Sequence, residues 1–169
     1  MTLNKTIETR FDLFFKKFTN LLMVNGKKIK ATRIFFNMLV ILKKRIKKDL
    51  EKKNLSNQKE LSLNVTLLHI ISKALENIRP NLEVRKVRVA GSTYIVPAII
   101  SKKKQETLAL KWLLEAARKR QKNSKLDFSN CLADEILDAS RKIGQARQKR
   151  DELHRLAQTN RAYIRYRWW

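Results

Sequence analysis

Leu82-Glu83-Val84-Arg85-Lys86-Val87-Arg88-Val89-Ala90-Gly91-Ser92-Thr93-Tyr94-Ile95-Val96-Pro97-Ala98-Ile99-Ile100 is the stretch where the period of the sequence changes. Its β-branched residues Val84, Val87, Val89, Thr93, Ile95, Val96, Ile99 and Ile100 flank Ala90-Gly91-Ser92, a pattern that predicts a β-hairpin. Basic Arg85, Lys86 and Arg88 ride on the first strand. Two strands alone are marginal in water and leave open edges, so this arm must rest on something. Its charge nominates RNA; packing of one end on neighbouring helices is the alternative.

Outward from the hairpin everything reads as helix, because only three Gly and two Pro punctuate the chain. Upstream, residues 61–78 place Leu63, Leu67, Leu68, Ile71 and Leu75 on one face and stop before Pro80. Polar residues 49–60 read as a connector. Before them, residues 28–48 carry an apolar face of Ile34, Phe35, Met38, Leu42 and Ile46, and Lys43, Lys44, Arg45, Lys47 and Lys48 crowd the end that the helix dipole makes favourable for cations. Residues 8–24 align Phe11, Phe14, Phe15, Phe18 and Leu22 at spacings of three and four before the turn Asn25-Gly26. Downstream, residues 105–120 hold Leu108, Leu110, Trp112, Leu113, Leu114 and Ala117. Ser129 or Asn130 is the expected cap of a fifth helix that carries Leu132, Ile136, Leu137 and Ile143 and ends near Gly144. Residues 146–165 read as the sixth.

The 169 residues suit one domain, 1–169, and their 43% hydrophobic content suffices for a sizeable core. Thirty-nine Lys and Arg against 15 acidic residues give a net charge of +24, which repels itself in a compact fold unless a polyanion relieves it. The basic residues recur along the whole chain instead of lining one helix, which favours nucleic acid over a membrane surface. The longest apolar run, 34–42, is interrupted by Asn37 and is far short of the roughly 20 residues of a membrane span. Lone Cys131 has no partner for an internal disulfide and reads as a small core hydrophobe. Residues 1–10 contain Glu8 and no apolar run, so no cleavable presequence is evident.

Within the predicted last helix, Arg147, Arg150, His154, Gln158, Arg161 and Arg165 fall in one narrow stripe at about 100° per residue. Like charges at these spacings repel by tenths of a kcal/mol per pair, so the stripe is expected to meet phosphate, which the planar arginine fork grips well. Asp151 and Glu152 lie outside it. Tyr163, Tyr166, Trp168 and Trp169 interleave with Arg165 and Arg167, and such a mixture either stacks on bases or docks the helix on the core. No enzyme, metal site or cofactor is expected: His69 and His154 stand apart, and there is no Cys/His metal spacing, glycine-rich phosphate loop or carboxylate pair.

These residues resemble the bacterial-type family of small-subunit ribosomal protein seven, in an organellar form. The resemblance runs from about Phe11 to Trp168. It is carried by Leu22-Met23-Val24-Asn25-Gly26-Lys27-Lys28, by Ala74-Leu75-Glu76-Asn77-Ile78-Arg79-Pro80 with Glu83-Val84, and by Gly91-Ser92-Thr93-Tyr94-Ile95-Val96-Pro97. Further matches are Trp112 with Glu115-Ala116-Ala117-Arg118-Lys119-Arg120, Lys149-Arg150, His154-Arg155, Asn160-Arg161-Ala162 and Tyr166-Arg167-Trp168.

The resemblance implies a mainly α fold, a bundle of about six helices with a protruding two-stranded β-hairpin, and a structural role without catalysis. It implies binding to the 3′ major domain of small-subunit rRNA, nucleation of head assembly, and a place near the exit tRNA site and outgoing mRNA. Small-subunit proteins nine, eleven and thirteen are the implied neighbours, and no homo-oligomer is expected. The rRNA contacts it implies are Lys27, Lys28, Arg85, Lys86, Arg88, Lys111, Arg118, Lys119, Arg120, Lys149, Arg150, Arg155, Arg161 and Arg167, to which the stripe adds Arg147, His154 and Arg165. Gly91, Ser92, Thr93 and Tyr94 are the expected tip, near the exit-site tRNA and mRNA.

Against the resemblance, no basic N-terminal arm or C-terminal extension is expected from the sequence as given, the segment at 50–60 is longer, Ala90 stands for a tip glycine and Val87 for a basic residue. Abundant Lys, Asn, Ile and Phe point to an AT-rich gene and, with no presequence evident, to an organelle product: mitochondrial first, plastid second, with a bacterial cytoplasm as a further alternative. A free-standing RNA-binding regulator is the competing reading, and an enzyme acting on RNA is the rival from another class. Cosedimentation with small subunits separates them from a ribosomal protein.

Overall fold

The computed structural model describes residues 2–52 and 60–169, with side chains over 12–49 and 65–169. The elements are α1 (Thr2–Leu22), α2 (Lys28–Lys52), α3 (Glu60–Ile78), β1 (Leu82–Val89), β2 (Ser92–Ile99), α4 (Lys102–Asn123), α5 (Phe128–Ser140), α6 (Gln145–Thr159) and a 3₁₀ helix (Arg161–Tyr166). The fold is mainly helical with one antiparallel hairpin, as the sequence pattern and the resemblance both imply. Two compact units emerge: Met1–Leu67 with Ala117–Ala133, and Leu68–Ala116 with Asp134–Trp169.

In the first unit the aromatic spacing of α1 does what it predicts. Phe18 is fully buried and lies 5.2 Å from Phe35 of α2, whose Met38 and Leu42 are also fully buried. Asn25 (φ 53°) and Gly26 (φ 70°) make the turn between the two helices. Helix α2 continues through 49–52, which the polarity of those residues had marked as connector, and 53–59 lie outside the described residues. So do the side chains of Phe11 and Leu63. Helix α5 starts two to three residues earlier than a cap at Ser129 or Asn130 would place it: the N–H groups of Asn130 and Cys131 both donate to the Asp127 carbonyl, at 3.0 and 3.1 Å. Ser129 is therefore inside the helix and not its cap, and its hydroxyl donates instead to the Ile34 carbonyl.

In the second unit the core is Ile71, Ala74 and Ile78 of α3, Leu110, Leu113 and Ala116 of α4, Ile136 and Ala139 of α5, and Val96 and Ala98 of β2. Leu75, expected inward, is only half-buried, because the buried face of α3 runs through Ala74 and Ile78. Ile143 lies past the end of α5 and is exposed. The predicted long last helix ends at Thr159. At its end the Thr159 hydroxyl donates to the Arg155 carbonyl, and the Leu156 carbonyl accepts from both the side-chain amide and the backbone N–H of Asn160. Asn160 sits at φ −96°, ψ 17°, and the chain tightens into the 3₁₀ turn.

The start of α6 is fixed by a carboxylate from another helix. Glu135 of α5 is fully buried, and its Oε1 accepts from the Ala146 N–H at 2.9 Å, satisfying one of the donors that every helix N-terminus leaves open. Asn77 at the end of α3 donates to the Ala139 and Ser140 carbonyls, closing the other end of α5. Gly144 lets the chain turn between them with φ 99° and ψ 164°, a region other residues avoid, and a Cβ there would stand 2.9 Å from Glu135 Oε1. Gly144→Ala should lower stability by about 1–3 kcal/mol, read as a fall in thermal midpoint; an unchanged midpoint would show that this turn does not set the position of α6.

Candidate nucleic-acid interface

The hairpin pairs Leu82 with Ile99 through Val89 with Ser92, which leaves Ala90 (φ 47°) and Gly91 (φ 86°) as a two-residue turn. Positive φ at both positions is the mirror-type turn that fits strand twist, and Ala90 adopts it without glycine. This register divides the side chains between two faces. One carries Glu83, Arg85, Val87 and Val89 with Ser92, Tyr94, Val96 and Ala98; the other carries Leu82, Val84, Lys86 and Arg88 with Thr93, Ile95, Pro97 and Ile99.

The first face is occupied by protein. Tyr94 stacks 4.9 Å from Tyr166 and lies 5.0 Å from Tyr163, joining β2 to the 3₁₀ helix, and Val87 and Val96 are buried. Arg85 donates to Glu83 Oε1 through Nε at 2.7 Å, and its guanidinium lies 5.1 Å from the ring centre of Trp169. Lys104 of α4 reaches the other oxygen of Glu83 at 2.5 Å. Burial pushes the Glu83 carboxyl up, but hydrogen bonds and charge from Lys104 and Arg85 more than reverse it and hold it below its ordinary value. Thus the arm rests on helix and tail, the alternative to RNA that the bare sequence left open. Tyr94 is two residues inside β2, so Gly91, Ser92 and Thr93 are the exposed residues at the tip and Tyr94 is not among them.

The arginine stripe is also divided. Ala146 and Ala157 are the buried residues of α6, and Arg150 falls within about 40° of Ala146 around the helix, at the edge of that seam. Arg147 Nη1 donates to the Asn77 carbonyl at 2.8 Å and its Nε to Asp151 at 2.9 Å. Arg150 donates to the other oxygen of the same carboxylate, and its side chain is only 19% exposed. Asp151, placed outside the stripe by helical geometry, therefore compensates both arginines, at the i+4 and i+1 spacings. His154 Nε2 accepts from the Asn81 N–H at 3.2 Å, tying α6 to the start of the hairpin. Burial lowers the His154 pKa, the Arg150 charge adds to this, Asp151 opposes it and Arg147 lowers it further. Arg161 and Arg165 belong to the 3₁₀ helix beyond Asn160, so they do not continue the stripe.

Lys149 pairs with Glu115 at 2.6 Å. Among the described residues, Lys86, Arg88, Lys111, Arg155 and Arg161 make no ion pair and are exposed, as are Arg165 and Arg167. In the other unit Lys27 and Lys28 are exposed at the α1–α2 turn, and Arg118 and Lys119 are exposed on α4 beside half-buried Arg120. Glu83, Asn77 and Glu135 were not singled out by sequence. The i, i+2 spacing of Glu83 and Arg85 on one strand face carried a signal; the long-range bonds of Asn77 and Glu135 carried none.

The described residues contain no group of three His, Cys, Asp or Glu able to hold a metal, and no helix among them is long and apolar enough to cross a membrane. The class that this geometry defines is a helical, strongly cationic protein with a β-hairpin arm whose outward face is basic. The family model described as ribosomal protein S7p/S5e matches residues 3–161, and the chain belongs to that family. It is a structural ribosomal protein of the small subunit and not an enzyme. It is 43% identical to small ribosomal subunit protein uS7m of Prototheca wickerhamii over 90% of this chain and 88% of that protein. It is 41% identical to small ribosomal subunit protein uS7 of Colwellia psychrerythraea over 90% and 85%, and 38% identical to uS7m of Marchantia polymorpha over 91% and 59%.

The His154 contact has a pH signature. Its folded pKa lies below the ordinary value of 6.5, so between the two the unfolded chain binds more protons, and stability is complete above about 6.5 and lost as pH falls through the folded value. Thermal midpoints between pH 7.5 and 5 should therefore fall more steeply for the native chain than for His154→Gln, whose amide oxygen still accepts from Asn81. Parallel profiles would show that the histidine is not held neutral by this contact.

Proposed function

We propose that the chain binds the 3′ major domain of small-subunit rRNA within a mitochondrial ribosome in the matrix, and helps nucleate assembly of the subunit head. Membership of the family supports this, as do two uS7m relatives at 43% and 38% identity. The proposed neighbours are small-subunit proteins nine, eleven and thirteen. The hairpin tip Gly91, Ser92 and Thr93 and the last helix lie toward the exit-site tRNA and the outgoing mRNA.

The observation that carries the reading is the two-sided hairpin. One face is held by the protein, while Lys86 and Arg88 point from the other with no ion pair among the described residues. With Lys27, Lys28, Lys111, Arg118, Lys119, Arg155, Arg161, Arg165 and Arg167 they form the set proposed to meet phosphate; Arg85, Arg147, Lys149, Arg150 and His154 already have partners inside the protein. A net charge of +24 persists after such pairing, since each internal pair cancels one charge of each sign that the total already counts.

Binding to a small-subunit rRNA fragment should weaken steeply with salt, because each neutralised phosphate releases counterions. The double variant Lys86→Gln/Arg88→Gln should bind more weakly, with a slope of log K against log[salt] shallower by about 1.5. Lys149→Gln, whose amine is tied to Glu115, should change it less. Equal slopes for the native chain and the double variant would overturn the assignment of this face.

A further inference from the structure

We infer that Trp168, with Arg165 and Arg167 beside it, is a stacking site for an unpaired nucleotide base of single-stranded RNA. The inference deepens the RNA-binding reading by naming the state of the nucleic acid that one part of the surface takes.

Trp168 is 82% exposed, the same fraction as Ile29 and unmatched by any other aromatic residue among the described large hydrophobics. Exposure of an isolated aliphatic residue is ordinary, but an indole offers far more apolar area to water and is usually covered. It is not a loose end. Trp169 meets it at 5.6 Å and 87°, so the two rings are perpendicular, and Trp169 is itself under the Arg85 guanidinium. Arg167 Nε donates to the main-chain oxygen of Trp169 at 3.2 Å. Arg85 is fixed in turn by Glu83, and the preceding 3₁₀ helix is fixed by the tyrosine stack on β2. The Trp168 ring is therefore largely open to solvent on a supported segment.

The charge around it selects the occupant. Arg165 lies 5.2 Å over Tyr166 and makes no ion pair among the described residues, whereas Glu83 is taken up by Arg85 and Lys104. A flat, open π-surface three residues from an unpaired guanidinium, that of Arg165, suits a ligand that is planar and aromatic in one part and anionic in the next. A nucleotide fits, provided its base is not already stacked within a duplex. A protein surface would have to bring a buried acidic group and an apolar pocket together.

The test uses the full chain and two fluorescently labelled RNAs of equal length, a ten-nucleotide single strand without self-complementarity and the matching duplex, read by anisotropy over a salt series. Trp168→Leu should weaken single-strand binding about tenfold and leave duplex binding unchanged, because stacking on an aromatic residue contributes on that scale. The salt slope should stay as in the native chain, since stacking releases no counterions. Trp168→Phe should recover most of the loss. Circular dichroism should be unchanged, the side chain being in solvent. Equal affinities of the Leu variant and the native chain, equal losses on single strand and duplex, a changed slope, or no single-strand binding by the native chain would each overturn the inference. Salt-dependent binding of the native chain to an rRNA fragment, measured alongside, reports separately on the broader reading.

Discussion

A two-stranded sheet cannot bury both of its faces, and most of the functional geometry of this chain follows from which face it buries. The face bearing Tyr94, Val96 and Val87 is covered by α6 and the 3₁₀ helix. The opposite face buries Pro97 near its base and holds Lys86 and Arg88 exposed toward the tip. Because the register alternates strictly, adjacent residues Arg85 and Lys86 have opposite fates: the first is drawn into a pair with Glu83 and under Trp169, the second is left in water. A shift of one residue would exchange the two sets.

The same sorting operates on α6. Its buried seam is built of alanines, and small residues there let a neighbour approach closely enough for arginines on the edge of the seam to reach backbone and carboxylate partners. Arg147 thus ends on the Asn77 carbonyl, and Asp151 accepts from two guanidinium groups at once. Cations in such positions act in folding, and their charge is largely compensated within the protein. Arg161 and Arg165 beyond the Asn160 break, and Lys86 and Arg88 on the outer hairpin face, make no ion pair among the described residues.

Much of this was legible in the sequence. The periods of Phe14, Phe18, Phe35, Met38 and Leu42 gave helices and core together, and the β-branched residues around Ala90-Gly91 gave the hairpin, because both signals are local and repeat several times. The family, too, was recognisable from short runs such as Tyr166-Arg167-Trp168. What the sequence did not show were features set by distant partners. Nothing in the pattern of α5 says that Glu135 will cap α6, or that Asn77, 62 residues before Ala139, will close the end of α5. The stripe from Arg147 to Arg165 was misleading for a related reason: helical geometry placed the arginines correctly along one face but did not reveal that Asn160 ends the helix or that the face lies against the hairpin.

The central claim is that the basic residues fall into two sets, one held by the protein and one reserved for phosphate. Exchange rates of arginine Nε–H protons, measured by NMR in the free chain and with a small-subunit rRNA fragment, test it most directly. The account predicts slow exchange at Arg85 and Arg147 in the free chain with little change on binding, and fast exchange at Arg88, Arg161 and Arg165 that slows when RNA is added. Fast exchange at Arg85 and Arg147 in the free chain, or no slowing at the other three on RNA, would contradict it.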